Sequence, residues 1–237
     1  MSRFSSALLL LIPLLGLAAC ARGPEMVPQS LDVVLAKHPL DQSEVRHFVM
    51  DNGLKVLLVS DPRFNKSATA VYVGVGTLSN PKQRMGLAHF LEHMLFMGTG
   101  KYPGVDEYLQ YINENGGSRN AYTTEDHTAY YFEINHQAFE GALDRLSQFF
   151  IDPLFSAEYT ERELQAVHSE HQKNLENDSR RRLQVQRTFY REDHPAHTFG
   201  TGSLETLQDT KREELLEFYH DQYGANRMAL ALLGKTS

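Results

Sequence analysis

Gly86-Leu87-Ala88-His89-Phe90-Leu91-Glu92-His93-Met94-Leu95-Phe96-Met97-Gly98-Thr99 is the stretch that decides how this chain folds. Leu87, Phe90, Leu91, Met94 and Leu95 recur at three- and four-residue spacing, which predicts a helix over Pro81 to Met97 with one buried face. Gly98 and Gly100 end it, because glycine readily takes the conformation that closes a helix. On such a helix His89 and His93 stand one turn apart on a common face, and Glu92 lies close to that face.

Two imidazoles at this spacing suit a zinc ion, which takes nitrogen ligands at about 2.0–2.1 Å in tetrahedral geometry. A His-Glu-His triplet on a largely apolar helix would be costly to bury without a metal. The order His-x-x-Glu-His is the reverse of the commoner zinc-peptidase pattern and is itself a recognised signature. Glu92 is too near His89 to serve easily as a third ligand, but it can reach a water beside the ion. A catalytic zinc site needs a third protein ligand. The acidic helix further on offers Glu161, Glu163, His168, Glu170 and His171, and spacing alone does not choose among them.

Outward from this helix, apolar runs at His47 to Met50 and Leu54 to Val59 flank Asp51-Asn52-Gly53, a hairpin signal because Asn-Gly tolerates positive φ. Ser67 to Gly76 reads as a strand. A helix fits Val105 to Asn115, with Gly116-Gly117 as its breaker, followed by strands at Arg119 to Thr123 and Thr128 to Asn135. Helices are expected over His136 to Phe150, Ala157 to Glu192 and Lys211 to Tyr223, then a closing strand from Met228 to Leu233. The expected class is therefore α+β, a mixed and mostly antiparallel sheet with helices packed on one face.

The 237 residues are 41% hydrophobic and 22% charged, which is globular composition, and the net charge of −7 with no basic stripe argues against nucleic acid as a partner. Residues 1–19 read as a signal peptide: Arg3 supplies the positive start, and the apolar run Ala7 to Leu17 is too short to span a bilayer. Leu17-Ala18-Ala19-Cys20 resembles the lipobox of bacterial lipoproteins, so the only cysteine, Cys20, is the expected lipidation site. Such a lipid would anchor the protein to a membrane on the periplasmic side of a bacterial envelope. Residues 20–43 read as a tether containing Pro24, Pro28 and Pro39. The folded domain is expected over 44–237, incomplete at its C-terminus because the chain stops just after a strand.

The stretch Gly86 to Thr99 closely resembles the zinc helix of the pitrilysin/insulysin (M16) metallopeptidases. Gly117 to Thr123, His127 to Phe132, Ser169 to Asn174 and Phe199 to Leu207 resemble further motifs of that family in the same order, and the likeness runs from about residue 44 to the end. The resemblance implies an M16 catalytic domain with one zinc ion held by His89, His93 and Glu170, the last falling 77 positions beyond His93. It implies Glu92 as general base and Glu163 as a carboxylate orienting a ligand imidazole. It implies an edge strand at Arg119 to Thr123 on which a peptide substrate lies, contacting Asn120 and Ala121. It also implies further homologous domains, as part of the same polypeptide or a partner chain, which complete the active site with an arginine and a tyrosine that this chain does not match. The function so implied is zinc-dependent endopeptidase action on oligopeptides or small proteins. The other reading is a non-catalytic family subunit or a peptide-binding lipoprotein.

Overall fold

The computed structural model describes residues 29–30 and 36–235. Cys20, the signal sequence and most of the tether lie outside the described residues. One sheet holds seven strands: β1 Gln29–Ser30, β2 Glu44–Val49, β3 Lys55–Ser60, β4 Ser67–Val73, β5 Ser118–Thr123, β6 Thr128–Ile134 and β7 Met228–Gly234. Their order across the sheet is β1-β2-β3-β7-β4-β6-β5. Among the described residues only the β3–β7 pair is parallel, and the other strand pairings are antiparallel. The helices are α1 Leu87–Met94, α2 Glu107–Glu114, α3 Phe139–Gln148, α4 Ala157–Leu175, α5 Asp178–Arg187, α6 Leu204–Leu207 and α7 Arg212–Gln222. The mixed, mostly antiparallel α+β class expected from the pattern is the class observed.

Alternation along the strands explains why the helices occupy one face. In β6, Thr128, Tyr130, Phe132 and Ile134 are buried while Tyr131 and Glu133 between them are exposed, and in β4 Thr69, Val71 and Val73 are buried while Tyr72 is exposed. Successive strand side chains point to opposite faces, so the buried set forms one continuous apolar floor. Onto it pack Leu87, Phe90, Leu91, Met94 and Leu95, each at most 1% exposed. Each such side chain contributes roughly 1.5–3 kcal/mol over its exposed state, so α1 is fixed from below.

The helix over Pro81 to Met97 is shorter than its apolar period suggests. Gly86 sits at φ +92°, a left-handed conformation that stops the helix from extending toward Pro81. Asn80 Oδ1 accepts the Ala88 amide at 2.8 Å and caps α1 from outside. The long helix expected over Ala157 to Glu192 is likewise two helices. Asn177 turns extended, and its side chain accepts the amides of Ser179 and Arg180, starting α5 afresh. The closing strand is not at an edge: β7 lies in the middle of the sheet, between β3 and β4.

Candidate metal centre

Helix α1 presents His89 and His93 on the face turned toward α4, which packs against it. Glu163 and Glu170 stand on α4 seven residues apart, about two turns along one face. His89 Nε2 lies 3.4 Å from Glu170 Oε2, and His93 Nε2 lies 3.6 Å from Glu170 Oε1. One donor atom from each of His89, His93 and Glu170 lies within 4.8 Å of the other two. Ligands about 2.0–2.1 Å from a tetrahedral zinc ion stand about 3.3–3.4 Å apart, so the two Glu170 contacts are close to the spacing that zinc needs.

The outer ring nitrogens are both engaged. His89 Nδ1 donates to the Thr201 carbonyl at 2.8 Å, and His93 Nδ1 donates to Glu163 Oε2 at 3.2 Å. Each bond fixes the tautomer that leaves an Nε2 lone pair facing Glu170. Arg162 Nε donates to Glu163 Oε1 at 3.1 Å, so the orienting carboxylate is itself held.

Thr201 reaches His89 because Gly86 and Gly202 meet. A Cβ on Gly86 would collide with Gly202 Cα and its amide nitrogen, so two bare backbones pass where side chains could not. Both glycines have left-handed φ, +92° and +87°.

The charges at the site ask for a cation. Burial pushes His89 down, and the neighbouring His93 adds to this against the Thr201 carbonyl and Glu170. Burial acts on His93 in the same sense, but Glu163, Glu170 and Glu92 together outweigh it and raise His93 above its ordinary value. The carboxylates around His93 thus favour positive charge there, the preference a divalent cation satisfies. A His2Glu donor set with nitrogen and oxygen atoms facing one point fits zinc.

Glu92 is buried, and burial pushes its carboxyl up to about 7 against the opposing Thr123 hydrogen bond and His93. Thr123 Oγ1 donates to Glu92 Oε2 at 2.5 Å and lies 3.2 Å from Thr128 Oγ1, which donates to the Val75 carbonyl at 2.8 Å. This chain satisfies Glu92 in either protonation state. An ionised Glu92 accepts from Thr123. A protonated one donates to Thr123, whose hydrogen turns to Thr128.

β5 pairs with β6 alone and ends the sheet among the described residues. Asn120 is exposed and Ala121 half-buried along it. His168 and His171 stand outside the donor triangle: His168 Nδ1 accepts the Leu204 amide at 3.4 Å, and the His171 ring meets Phe199. A cavity of about 1110 Å³ opens beside the triangle, with His89, Glu170, Tyr122, Thr201, Arg180 and Arg187 in its wall. Thr123, Thr201 and Arg162 were not legible in advance, because each acts through a tertiary contact. Thr123 and Thr201 do fall inside the Gly117 to Thr123 and Phe199 to Leu207 motifs.

The profile of the family Insulinase (Peptidase family M16) matches residues 55–202. The chain belongs to this family. It is 49% identical over 209 residues to Insulin-degrading enzyme-like 2 of Arabidopsis thaliana, covering 85% of this chain and 22% of that protein. It is 46% identical over 210 residues to human Insulin-degrading enzyme, covering 86% and 21%. Among solved structures it resembles pitrilysin with a TM-score of 0.85 and 37% identity, over 89% of this chain and 23% of that one. The chain thus spans about a fifth of the length of these relatives.

Proposed function

We propose that this M16 chain carries the zinc site of an endopeptidase, with His89, His93 and Glu170 holding the ion and Glu92 as general base. The observation that carries the reading is the donor triangle of His89, His93 and Glu170, with both outer imidazole nitrogens already engaged. A bound zinc ion supplies Lewis acidity, which polarises a scissile carbonyl and acidifies a water. Glu92 takes the proton of the attacking water and returns it to the leaving amine, and the Thr123–Thr128 hydroxyl chain satisfies it at both stages. Peptide backbone adds to the free edge of β5 beside Asn120 and Ala121, a mode that gives affinity with little sequence preference. Further M16 domains, in the same polypeptide or a partner, complete the site, in keeping with the fifth of the relatives' length that this chain spans. Lipid attached at Cys20 holds the assembly on a membrane of the bacterial envelope, and radiolabelled fatty acid should appear in the protein and vanish with Cys20→Ser.

The test is digestion of an unstructured peptide by the zinc-loaded protein. Cleavage should stop with a chelator, return with zinc, and be lost in Glu92→Gln while that variant still binds zinc. Undiminished cleavage by Glu92→Gln would overturn the role given to this carboxylate. Zinc retained without cleavage, even after addition of the C-terminal half, would favour a non-catalytic subunit.

A further inference from the structure

Helix α5 forms one wall of the cavity beside the metal ligands, and its cavity-lining residues include Arg180, Gln184 and Arg187, spaced four and three apart. That spacing puts all three on one helical face. No ion pair forms with Arg180 or Arg187 among the described residues, whereas Arg181 is paired with Asp178 at 3.3 Å. Three carboxylates face the same cavity. Glu170 belongs to the donor triangle, and Glu205 acts on His171. Glu125 is the one carboxylate that acts on Arg187, and it does so from beyond ion-pair distance.

Arg180 acts unfavourably on both His89 and Arg187. Arg187 is half-buried, and burial together with Arg180 holds its guanidinium below the ordinary value. Two unpaired guanidinium groups that repel one another across a cavity wall are stabilised by an anion placed between them. The planar, forked donors of arginine match a carboxylate. The same wall carries Leu183 and Val185, so the stem of a side chain has apolar contact there.

We propose that Arg180 and Arg187 seat a carboxylate of the peptide substrate, so that this chain selects acidic peptides at the cavity beside its metal ligands. The inference rests on the reading of the site as a peptidase centre. It names what that site prefers.

The experiment separates the two. Zinc-loaded Glu92→Gln protein, silenced for turnover, is titrated by fluorescence anisotropy with three labelled peptides of equal length. One has an internal Glu and an amidated C-terminus, the second has Gln at that position and the same amide, and the third has Gln and a free C-terminus. The Glu peptide should bind about fivefold more tightly than its Gln-amide counterpart, the upper range for a solvent-accessible ion pair. The difference should shrink as salt is raised. A gain in the third peptide alone assigns the carboxylate to the substrate's terminus and still supports the arginine pair. Arg180→Ala and Arg187→Ala should each reduce the preference, and the charge reversal of both to Glu should shift it toward a Lys peptide. Equal binding of all three peptides by the unaltered wall overturns the inference, whether or not the arginine variants fold. Failure of the zinc-loaded wild type to cut any peptide even after addition of the C-terminal half would instead overturn the peptidase reading.

Discussion

Glu163 Oε2 lies 3.2 Å from His93 Nδ1, while Glu170, seven residues on along the same helix, faces Nε2 of that ring at 3.6 Å. One imidazole is held between two carboxylates of a single helix, so its orientation depends on both. Glu163→Gln should weaken zinc binding by about 10–100-fold, the usual cost of losing such an outer partner. Competition against a chromogenic chelator reads it directly, and an unchanged affinity would show that Glu163 does not orient the ring.

Thr123 makes a different kind of contact, to Glu92, which lies outside the donor triangle. Thr123→Val removes a hydrogen bond to a charged group, worth about 1.5–3 kcal/mol, so kcat should fall about tenfold to a hundredfold. Zinc content, measured by metal analysis, should stay the same. Loss of zinc along with rate would mean that the substitution had disturbed α1 instead.

Gly86 tests the link between fold and site. Gly86→Ala places a methyl group against Gly202 in a left-handed backbone whose strain alone costs about 1–2 kcal/mol. The melting temperature should drop. Zinc affinity should drop with it, because the carbonyl of Thr201, next to Gly202, steadies His89.

Asp61 gives the pH dependence. The Arg63 side chain, helped by the Arg63 amide, holds the Asp61 carboxyl at about 2, below its ordinary 3.8. A depressed folded-state value means that the stabilisation is full above 3.8 and is lost as the pH falls through about 2. Asp61→Asn should therefore melt lower than wild type at neutral pH, and the two curves should converge in strong acid. A gap that persists there would place the effect in the turn's backbone bonds.

The parts of this fold that could be read early are those written in short-range pattern. The Asp51-Asn52-Gly53 hairpin returns as β2 and β3, with Gly53 at φ +86°. The 3.6-residue period of Leu87 to Leu95 returns as α1. Periodicity runs past both helix breaks because it does not register single-residue conformations. Gly86 stops α1, and Asn177 splits the acidic helix, although Asn177-Asp178-Ser179 is a capping sequence in plain view. Among candidate ligands, spacing left five open on the later helix. The structure brings Glu170 to the imidazole pair, sets Glu163 behind His93, and leaves His168 and His171 aside. The Thr123–Glu92 and Thr201–His89 bonds join residues 31 and 112 positions apart, and no local signal carries such pairings.

The position of β7 bears on how the chain is made. Residues 228–234 fill the gap between β3 and β4, so the β2–β3 hairpin and the β4–β6–β5 half of the sheet have no shared neighbour until they arrive. During synthesis two incomplete sheet edges wait on the ribosome while more than 150 residues are added, bare strands of the kind that chaperones shield. Closure by so distant a segment carries a large loop entropy and makes folding slow. Substitutions in Met228 to Gly234 should therefore show first as poor soluble yield in the cell, before any change in the chemistry of the purified protein.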